Sequence, residues 1–241
     1  MRKPRLCTQV RQGQSYLRLF YTPTGREGCC LLYTAMFDIQ LRSLKDGIFD
    51  PCCRHVPPFI CPLQVTAASF VTGLLSCYFA TGQQKTLSLV FWFLNRALDC
   101  LDGALARHRN IASDLGGFLD LLGDFVVYSL LPLAIVHGSD DTNSSWRAVA
   151  FLEATFHVNN FVLFYIAAVA EKRQAKGGIA SELTSVIMRP ALIEGMESAL
   201  LFTTMLVLPS EVRILSWTMA GLVCAGIMQR TIWVVGALGR C

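Results

Sequence analysis

Long apolar segments recur along the chain, separated by short polar stretches. Six of them have about the 20 residues that a helix needs to cross the hydrocarbon core of a bilayer. Several contain Asp, Glu, Asn, His or Arg, so they cannot all face lipid. The pattern predicts an all-α integral membrane protein, a single bundle of six transmembrane helices around a polar interior. The predicted spans are residues 59–81, 87–106, 118–136, 149–170, 183–208 and 214–238.

The chain before the first predicted span divides into two parts. Residues 1–28 are interpreted as a basic N-terminal tail, with a targeting segment and a plain cytoplasmic tail equally open. In residues 29–49 the apolar side chains fall largely on one helical side, with charged side chains elsewhere. This predicts an N-terminal amphipathic juxtamembrane helix on the cytoplasmic leaflet, an ordinary packed helix being the alternative. Residues 29–241 are interpreted as one membrane domain.

Composition and charge agree with a membrane protein. Hydrophobic residues make up 53% of the chain and charged ones 16%, and the mean hydropathy of +0.46 excludes an ordinary soluble domain. Lys and Arg are concentrated before the first span and in two alternate loops, so both termini are predicted to be cytoplasmic. The same asymmetry explains the net charge of +4. Because no basic patch is interleaved with aromatic residues, no nucleic-acid partner is expected.

Four aspartates stand at the facing ends of the second and third predicted spans. Asp99 and Asp102 are three residues apart, which places them on one face of a helix. Asp120 and Asp124 are four apart, which gives the same geometry. Because the connecting segment is short, the two helices are predicted to be antiparallel neighbours whose carboxylates face one another. Arg107, one turn beyond Asp102, is a candidate phosphate ligand.

These carboxylates need a positive partner. A charged residue inside a span costs roughly 2.5–3.5 kcal/mol, so four unpaired ones would cost on the order of 10 kcal/mol. Oxygen ligands without His or Cys select hard cations, which predicts Mg²⁺ or Mn²⁺, and four carboxylates can support two ions. The ten cysteines lack Cys-x-x-Cys or zinc-type spacing and are interpreted as free thiols. Paired divalent ions usually serve phosphate chemistry, so the residues alone indicate phosphoryl transfer.

The same segment resembles a family signature. A match to a signature of eight specified residues at specified spacings would arise by chance with a probability on the order of 10⁻⁹ at each starting position, for residue frequencies near 7%. The segment is similar at every position to the signature of the CDP-alcohol phosphatidyltransferase family: Asp99-x-x-Asp102-Gly103-x-x-Ala106-Arg107, eight residues, Gly116, three residues, Asp120, three residues, Asp124. The start of the first span resembles the family's Pro-Asn-x-x-Thr opening, with Leu63 in place of Asn: Pro62-Leu63-Gln64-Val65-Thr66.

The resemblance implies an activity and roles for the aspartates. Members of the family move a phosphatidyl group from a CDP-linked lipid, such as CDP-diacylglycerol, to an alcohol, with release of CMP. By resemblance, Asp99, Asp102 and Asp120 would ligate two Mg²⁺ or Mn²⁺ ions. Asp124 would lie near the second ion and act as general base for the acceptor hydroxyl.

The resemblance also implies a nucleotide site and an assembly. The residues expected to hold the cytidine diphosphate are Gly103, Arg107, Gly116 and, from the first-span motif, Thr66. Six spans, cytoplasmic termini and an amphipathic helix before the first span match the family architecture. The active site is therefore expected to face the cytoplasm. Family members commonly pair, so a homodimer is expected.

Charged residues inside the fifth and sixth spans form a second candidate site. If Arg189 and Arg230 face the cavity, they would bind an acceptor phosphate, favouring glycerol phosphate or an inositol phosphate over serine or a neutral alcohol. The alternative is that both arginines pair with Glu194 and Glu197 and only stabilise the bundle.

Three other functions are alternatives to phosphatidyl transfer. A CDP-choline or CDP-ethanolamine phosphotransferase acting on diacylglycerol is an enzymatic alternative, although such relatives usually have more than six spans. A divalent-cation transporter is an alternative of another class, but the opposite half of the bundle offers no charged relay. A catalytically inactive scaffold finds no support, because all eight signature residues are present.

Overall fold

A computed structural model describes residues 49, 51–139, 143–175 and 195–238 of the chain. Within these ranges the longer elements are all helices. They are α1 (Pro62–Thr81), α2 (Lys85–His108), α3 (Asp114–Gly138), α4 (Asn143–Ala175), α5 (Gly195–Val207) and, after a 3₁₀ turn at Pro209–Glu211, α6 (Val212–Leu238). Four stretches are long and apolar enough to cross a membrane: Pro62–Thr81, Asp114–Gly138, Asn143–Val169 and Pro209–Gly236. The described part is therefore that of an all-α, multi-pass membrane protein.

The other two predicted spans, which correspond to α2 and α5, are not among these four. Helix α2 has 24 residues, which makes it roughly 36 Å long. Its charged residues exclude it from the stretches that are apolar enough to cross a membrane. Helix α5 has 13 described residues, and the earlier part of its predicted span, residues 183–194, lies outside the described ranges. The six-span count therefore stays a prediction. The tail at residues 1–28 and, apart from Phe49, the predicted helix at 29–49 also lie outside the described residues.

Helix α1 packs closely against both α2 and α3, and α4 packs along α6. Small residues permit the approach of α1 to α3. A Cβ at Gly73 would lie 2.5 Å from Val127 Cγ2, and one at Gly123 would lie 3.4 Å from the Phe70 ring. Helices α2 and α3, predicted to be direct neighbours, approach each other mainly through side chains. The result is a cleft between α2 and α3 with α1 along one side.

The chain that leads into α1 is attached to the end of α2. Arg109 Nη1 donates to the Ile60 carbonyl at 2.6 Å, and its Nη2 donates to the Val56 carbonyl at 2.9 Å. Cys53 is buried beside Leu105, which adds an apolar contact between the same segments. These contacts set where α1 begins, and so determine the height of its side chains relative to α2.

The close approach of α1 to the last residue of α3 gives a prediction about stability. A Cβ at Gly138 would lie 2.5 Å from the Ala80 carbonyl oxygen, a backbone atom that cannot rotate away. Gly138→Ala is expected to destabilise the protein by about 1–3 kcal/mol, measured as a lower unfolding midpoint in detergent. Gly221→Ala is the matched control, because a Cβ there meets nothing within 4 Å. Equal midpoints for the two variants would contradict the prediction.

Candidate active site

A small cavity of about 10 Å³ opens in the cleft between α2 and α3. All three of the first helices contribute to its wall, because α1 lies beside both others. Six of the eight lining residues have polar side chains, and three of the four signature aspartates are among them. The lining residues are Thr66, Ser69 and Phe70 from α1, Asn95 and Asp99 from α2, and Asp120, Gly123 and Asp124 from α3.

The four aspartates are close enough across this cleft to interact electrostatically. Asp99 on α2 interacts with Asp120 and Asp124 on α3. Asp102 interacts with both Asp99 and Asp124, and Asp120 also interacts with Asp102. The structure thus brings together the four carboxylates that the sequence singled out. Their mutual repulsion in a partly buried cleft favours binding of a cation there.

The carboxylate of Asp102, on α2, is held by a hydroxyl group from α1. Thr66 Oγ1 donates to Asp102 Oδ2 at 2.6 Å, and both residues are buried, Asp102 with 4% of its surface exposed. Thr66 lies in the second turn of α1, so this bond ties the start of α1 to α2. Contact of Thr66 with the nucleotide stays a prediction, and in this structure its hydroxyl orients the Asp102 carboxylate.

Asp124 is held by an arginine. Arg96 Nη2 donates to Asp124 Oδ1 at 2.6 Å, and Arg96 Nη1 lies 3.6 Å from Asp99 Oδ2. The same guanidinium donates from Nη1 to the Tyr128 hydroxyl at 2.7 Å and from Nε to Asn95 Oδ1 at 2.9 Å. Arg96 therefore joins α2 to α3 where their backbones do not pack closely.

The residues expected at the nucleotide lie at the cytoplasmic ends predicted for α2 and α3. A Cβ at Gly103 would lie 3.2 Å from Arg107 Nη1, so a side chain there would crowd the Arg107 guanidinium. The Gly116 amide donates to Ser113 Oγ at 3.1 Å, which caps the start of α3. A Cβ at Gly117 would meet nothing within 4 Å, so the surface of this first turn is open.

Divalent ions fit this site by the chemistry of its donors. Carboxylate oxygens suit Mg²⁺ and Mn²⁺, and the repulsion among four carboxylates would be relieved by added positive charge. As the side chains stand, no group of three or more His, Cys, Asp or Glu residues in the described ranges is arranged to hold a metal ion. Thr66 and Arg96 each bond one carboxylate oxygen of a candidate ligand, Thr66 that of Asp102 and Arg96 that of Asp124.

Arg230, one of the two expected acceptor residues, is not part of this cavity. Arg230 is 7% exposed on α6, and its Nη1 donates to Asn159 Oδ1 on α4 at 3.0 Å. It does not belong to the wall of the cavity described above. Arg189 and Glu194 lie outside the described residues.

Sequence reasoning missed several polar residues that support the aspartates. Ser69 and Asn95 exchange hydrogen bonds between α1 and α2, with Asn95 Nδ2 donating to the Ser69 carbonyl at 2.7 Å. Ser69 Oγ donates in return to the Asn95 carbonyl at 3.0 Å. Arg96 could have been identified from the sequence, since it is a charged residue inside a predicted span, three residues before Asp99. The sequence signal for Tyr128 was weaker, namely its position one helical turn after Asp124.

Comparison with known proteins places this site in a family. The sequence model of the CDP-alcohol phosphatidyltransferases matches residues 55–227, which include all four aspartates and Thr66. The chain belongs to the CDP-alcohol phosphatidyltransferase family. Its members make phospholipids in membranes, which agrees with the apolar helices of the described part.

Three similar proteins come from bacteria. The chain is 35% identical over 172 residues to the inner membrane protein YnjF of Escherichia coli (strain K12), covering 69% of this chain and 80% of that one. It is 30% identical over 76 residues to the CDP-diacylglycerol–serine O-phosphatidyltransferase of Bacillus subtilis (strain 168), covering 32% of this chain and 43% of the relative. The corresponding Helicobacter pylori (strain J99) enzyme is 31% identical over 81 residues, 34% of each chain. No solved structure matches.

Proposed function

We propose that this enzyme transfers a phosphatidyl group from CDP-diacylglycerol to an alcohol and releases CMP. The observation that carries the proposal is the interaction of the four signature aspartates across the cleft between α2 and α3. Supporting it, two relatives are named as enzymes that use CDP-diacylglycerol. In the reaction, the acceptor oxygen forms a bond to the phosphorus that carries the lipid. The bond from that phosphorus to CMP breaks, and CMP leaves with its electron pair.

The four aspartates would have different roles in this reaction. Asp99, Asp102 and Asp120 would hold two Mg²⁺ or Mn²⁺ ions, with Asp124 near the second. The bound ions would supply positive charge that polarises the diphosphate and stabilises the departing CMP. Asp124 would accept the proton of the acceptor hydroxyl as its oxygen attacks phosphorus.

Residues at the ends of α2 and α3 would bind the donor. The Arg107 guanidinium would contact the diphosphate, and Gly103 would leave room for it. Gly116 lies in the first turn of α3, where a helix N-terminus favours a negatively charged group. Thr66 would keep Asp102 turned towards the cleft, which supports donor binding indirectly.

The acceptor, orientation and assembly are parts of the same proposal. Serine is the first acceptor to test, because the named relatives use it. Glycerol phosphate and inositol phosphate follow, with Arg230 and Arg189 as the candidate phosphate ligands. The arrangement of positive residues supports a cytoplasmic active site and cytoplasmic termini. We also propose that the enzyme is a homodimer.

A reconstituted assay tests this function. Purified enzyme in lipid vesicles receives CDP-diacylglycerol, Mg²⁺ or Mn²⁺ and, one at a time, serine, glycerol phosphate, inositol, inositol phosphate or no acceptor. We expect CMP release and a new phospholipid of matching mass with one preferred acceptor. Chelation by EDTA is expected to abolish both products, and added Mn²⁺ to restore them, because the aspartates alone cannot neutralise the diphosphate.

Other outcomes of this assay identify the alternatives. Product formation only from CDP-choline or CDP-ethanolamine with diacylglycerol would favour the reverse arrangement of donor and acceptor. Uptake of Mn²⁺ into vesicles without CMP release from any donor would favour the transporter. Either result would overturn phosphatidyl transfer as the function.

A further inference from the structure

The Arg96 guanidinium makes hydrogen bonds in three directions. Its Nη2 donates to Asp124 Oδ1 at 2.6 Å, its Nη1 to the Tyr128 hydroxyl at 2.7 Å, and its Nε to Asn95 Oδ1 at 2.9 Å. Asp124 and Tyr128 are four residues apart on α3, so the planar group lies against one face of that helix. Each of the three guanidinium nitrogens thereby donates to an acceptor.

Aromatic side chains and a second helix fix the position of this guanidinium. Arg96 Cζ lies 5.1 Å from the centre of the Trp92 ring and 5.0 Å from that of Tyr128. Trp92 is fully buried, and its Nε1 donates to Thr203 Oγ1 on α5 at 2.8 Å. Asn95 is in turn bonded to Ser69 on α1. Arg96 is therefore held against a frame of well-packed groups from several helices.

We propose that Arg96 is the positioning residue for Asp124. By holding Oδ1, it fixes the carboxylate so that the other oxygen is left for the acceptor hydroxyl, at a cavity that Asp124 lines. The inference rests on the proposed function, in which Asp124 accepts the acceptor proton. Arg96 also distinguishes Asp124 from Asp102, which is held by the neutral Thr66 hydroxyl and keeps its charge available to a metal ion. Arg96 lies closer to Asp124 than to Asp99, whose Oδ2 is 3.6 Å from Nη1, so its charge weakens Asp124 as a metal ligand more than it weakens Asp99.

Arg96→Lys separates the geometry of the guanidinium from its charge. Lysine keeps one positive charge but cannot donate in three fixed directions, so Asp124 would lose its orientation. A misplacement of about 1 Å can cost on the order of 100-fold in rate. We therefore expect kcat for CMP release to fall by about 10- to 100-fold. The KM for CDP-diacylglycerol is expected to stay within about threefold of that of the original enzyme.

Two controls accompany this variant. Arg147→Lys replaces an exposed arginine at the start of α4, far along the chain from the cleft, and is expected to leave kcat and KM unchanged. Binding of Mn²⁺, followed by electron paramagnetic resonance without any lipid substrate, is expected to be the same for Arg96→Lys and the original enzyme within about threefold. Loss of Mn²⁺ binding in Arg96→Lys would mean that Arg96 merely holds the site together, and would overturn the inference.

Comparing Arg96→Lys in the Asp124→Asn background and in the original enzyme tests whether Arg96 acts through Asp124. If Arg96 acts through Asp124, then Arg96→Lys added to Asp124→Asn should reduce the residual rate by no more than about threefold. A further loss as large as that in the original background would overturn the inference, because Arg96 would then act independently of Asp124. These outcomes differ from failure of the proposed function, in which the original enzyme itself releases no CMP with any acceptor.

Discussion

Asp124→Asn is expected to lower the rate of CMP release by on the order of 10²–10⁴-fold, the usual contribution of a general base. Asparagine has nearly the same shape, but its amide cannot accept the proton of the acceptor hydroxyl. The Arg96 guanidinium would still find an oxygen to contact, so the helices should stay in place. Binding of CDP-diacylglycerol, measured by calorimetry in detergent, is expected to be largely retained.

Asp114→Asn is the matched control for this variant. Asp114 is exposed in the first turn of the same helix, and the cavity wall does not include it. Its replacement is expected to leave the rate unchanged. If Asp124→Asn kept more than about a tenth of the original rate, Asp124 would not be the base, since a base contributes at least about 100-fold.

Asp102→Asn is expected to remove both Mn²⁺ binding and CMP release. Asp102 is buried between α1 and α2, where no other described carboxylate takes its place beside Thr66. Thr66→Val is expected to act in the same direction but less strongly, lowering Mn²⁺ affinity by about 10- to 100-fold. Valine has almost the volume of threonine and removes only the hydroxyl that orients the carboxylate. Titration of Mn²⁺ by electron paramagnetic resonance measures both effects.

The order of these two effects tests how the metal is held. If Asp102 is a ligand and Thr66 its support, the affinity should fall in the order original enzyme, Thr66→Val, Asp102→Asn. Raising the Mn²⁺ concentration should then restore the rate of Thr66→Val but not that of Asp102→Asn. Full Mn²⁺ affinity in Asp102→Asn would show that this carboxylate is not a ligand.

The helices of this enzyme were predictable because their signal is local. Runs of about 20 apolar residues predicted the four stretches that can span a membrane, and the ends agree to between zero and six residues, most closely for Pro62–Thr81. Helix α2 departs from the pattern because one face must carry Asn95, Arg96 and the aspartates. The amount of charge on that face lowers its hydropathy, even though the helix itself was predicted.

The four aspartates were predictable for a similar reason, while their partners were not. Spacings of three and four residues place side chains on one face of a helix whatever the rest of the chain does. The contact of Thr66 with Asp102 joins residues 36 positions apart, and that of Arg96 with Asp124 joins residues 28 apart. Such pairs depend on the heights and rotations of three packed helices, which no local pattern specifies.

The sequence by itself determined the helical membrane class, the family and the four carboxylates, because each depends on composition or on spacing along one helix. The tertiary structure alone decided that α1 lies beside a cleft between α2 and α3, since the close approach at Gly73 and Gly123 comes from packing. It also decided that Arg96 would hold Asp124 and Thr66 would hold Asp102. Those contacts exist because helix packing brings distant residues within hydrogen-bond distance.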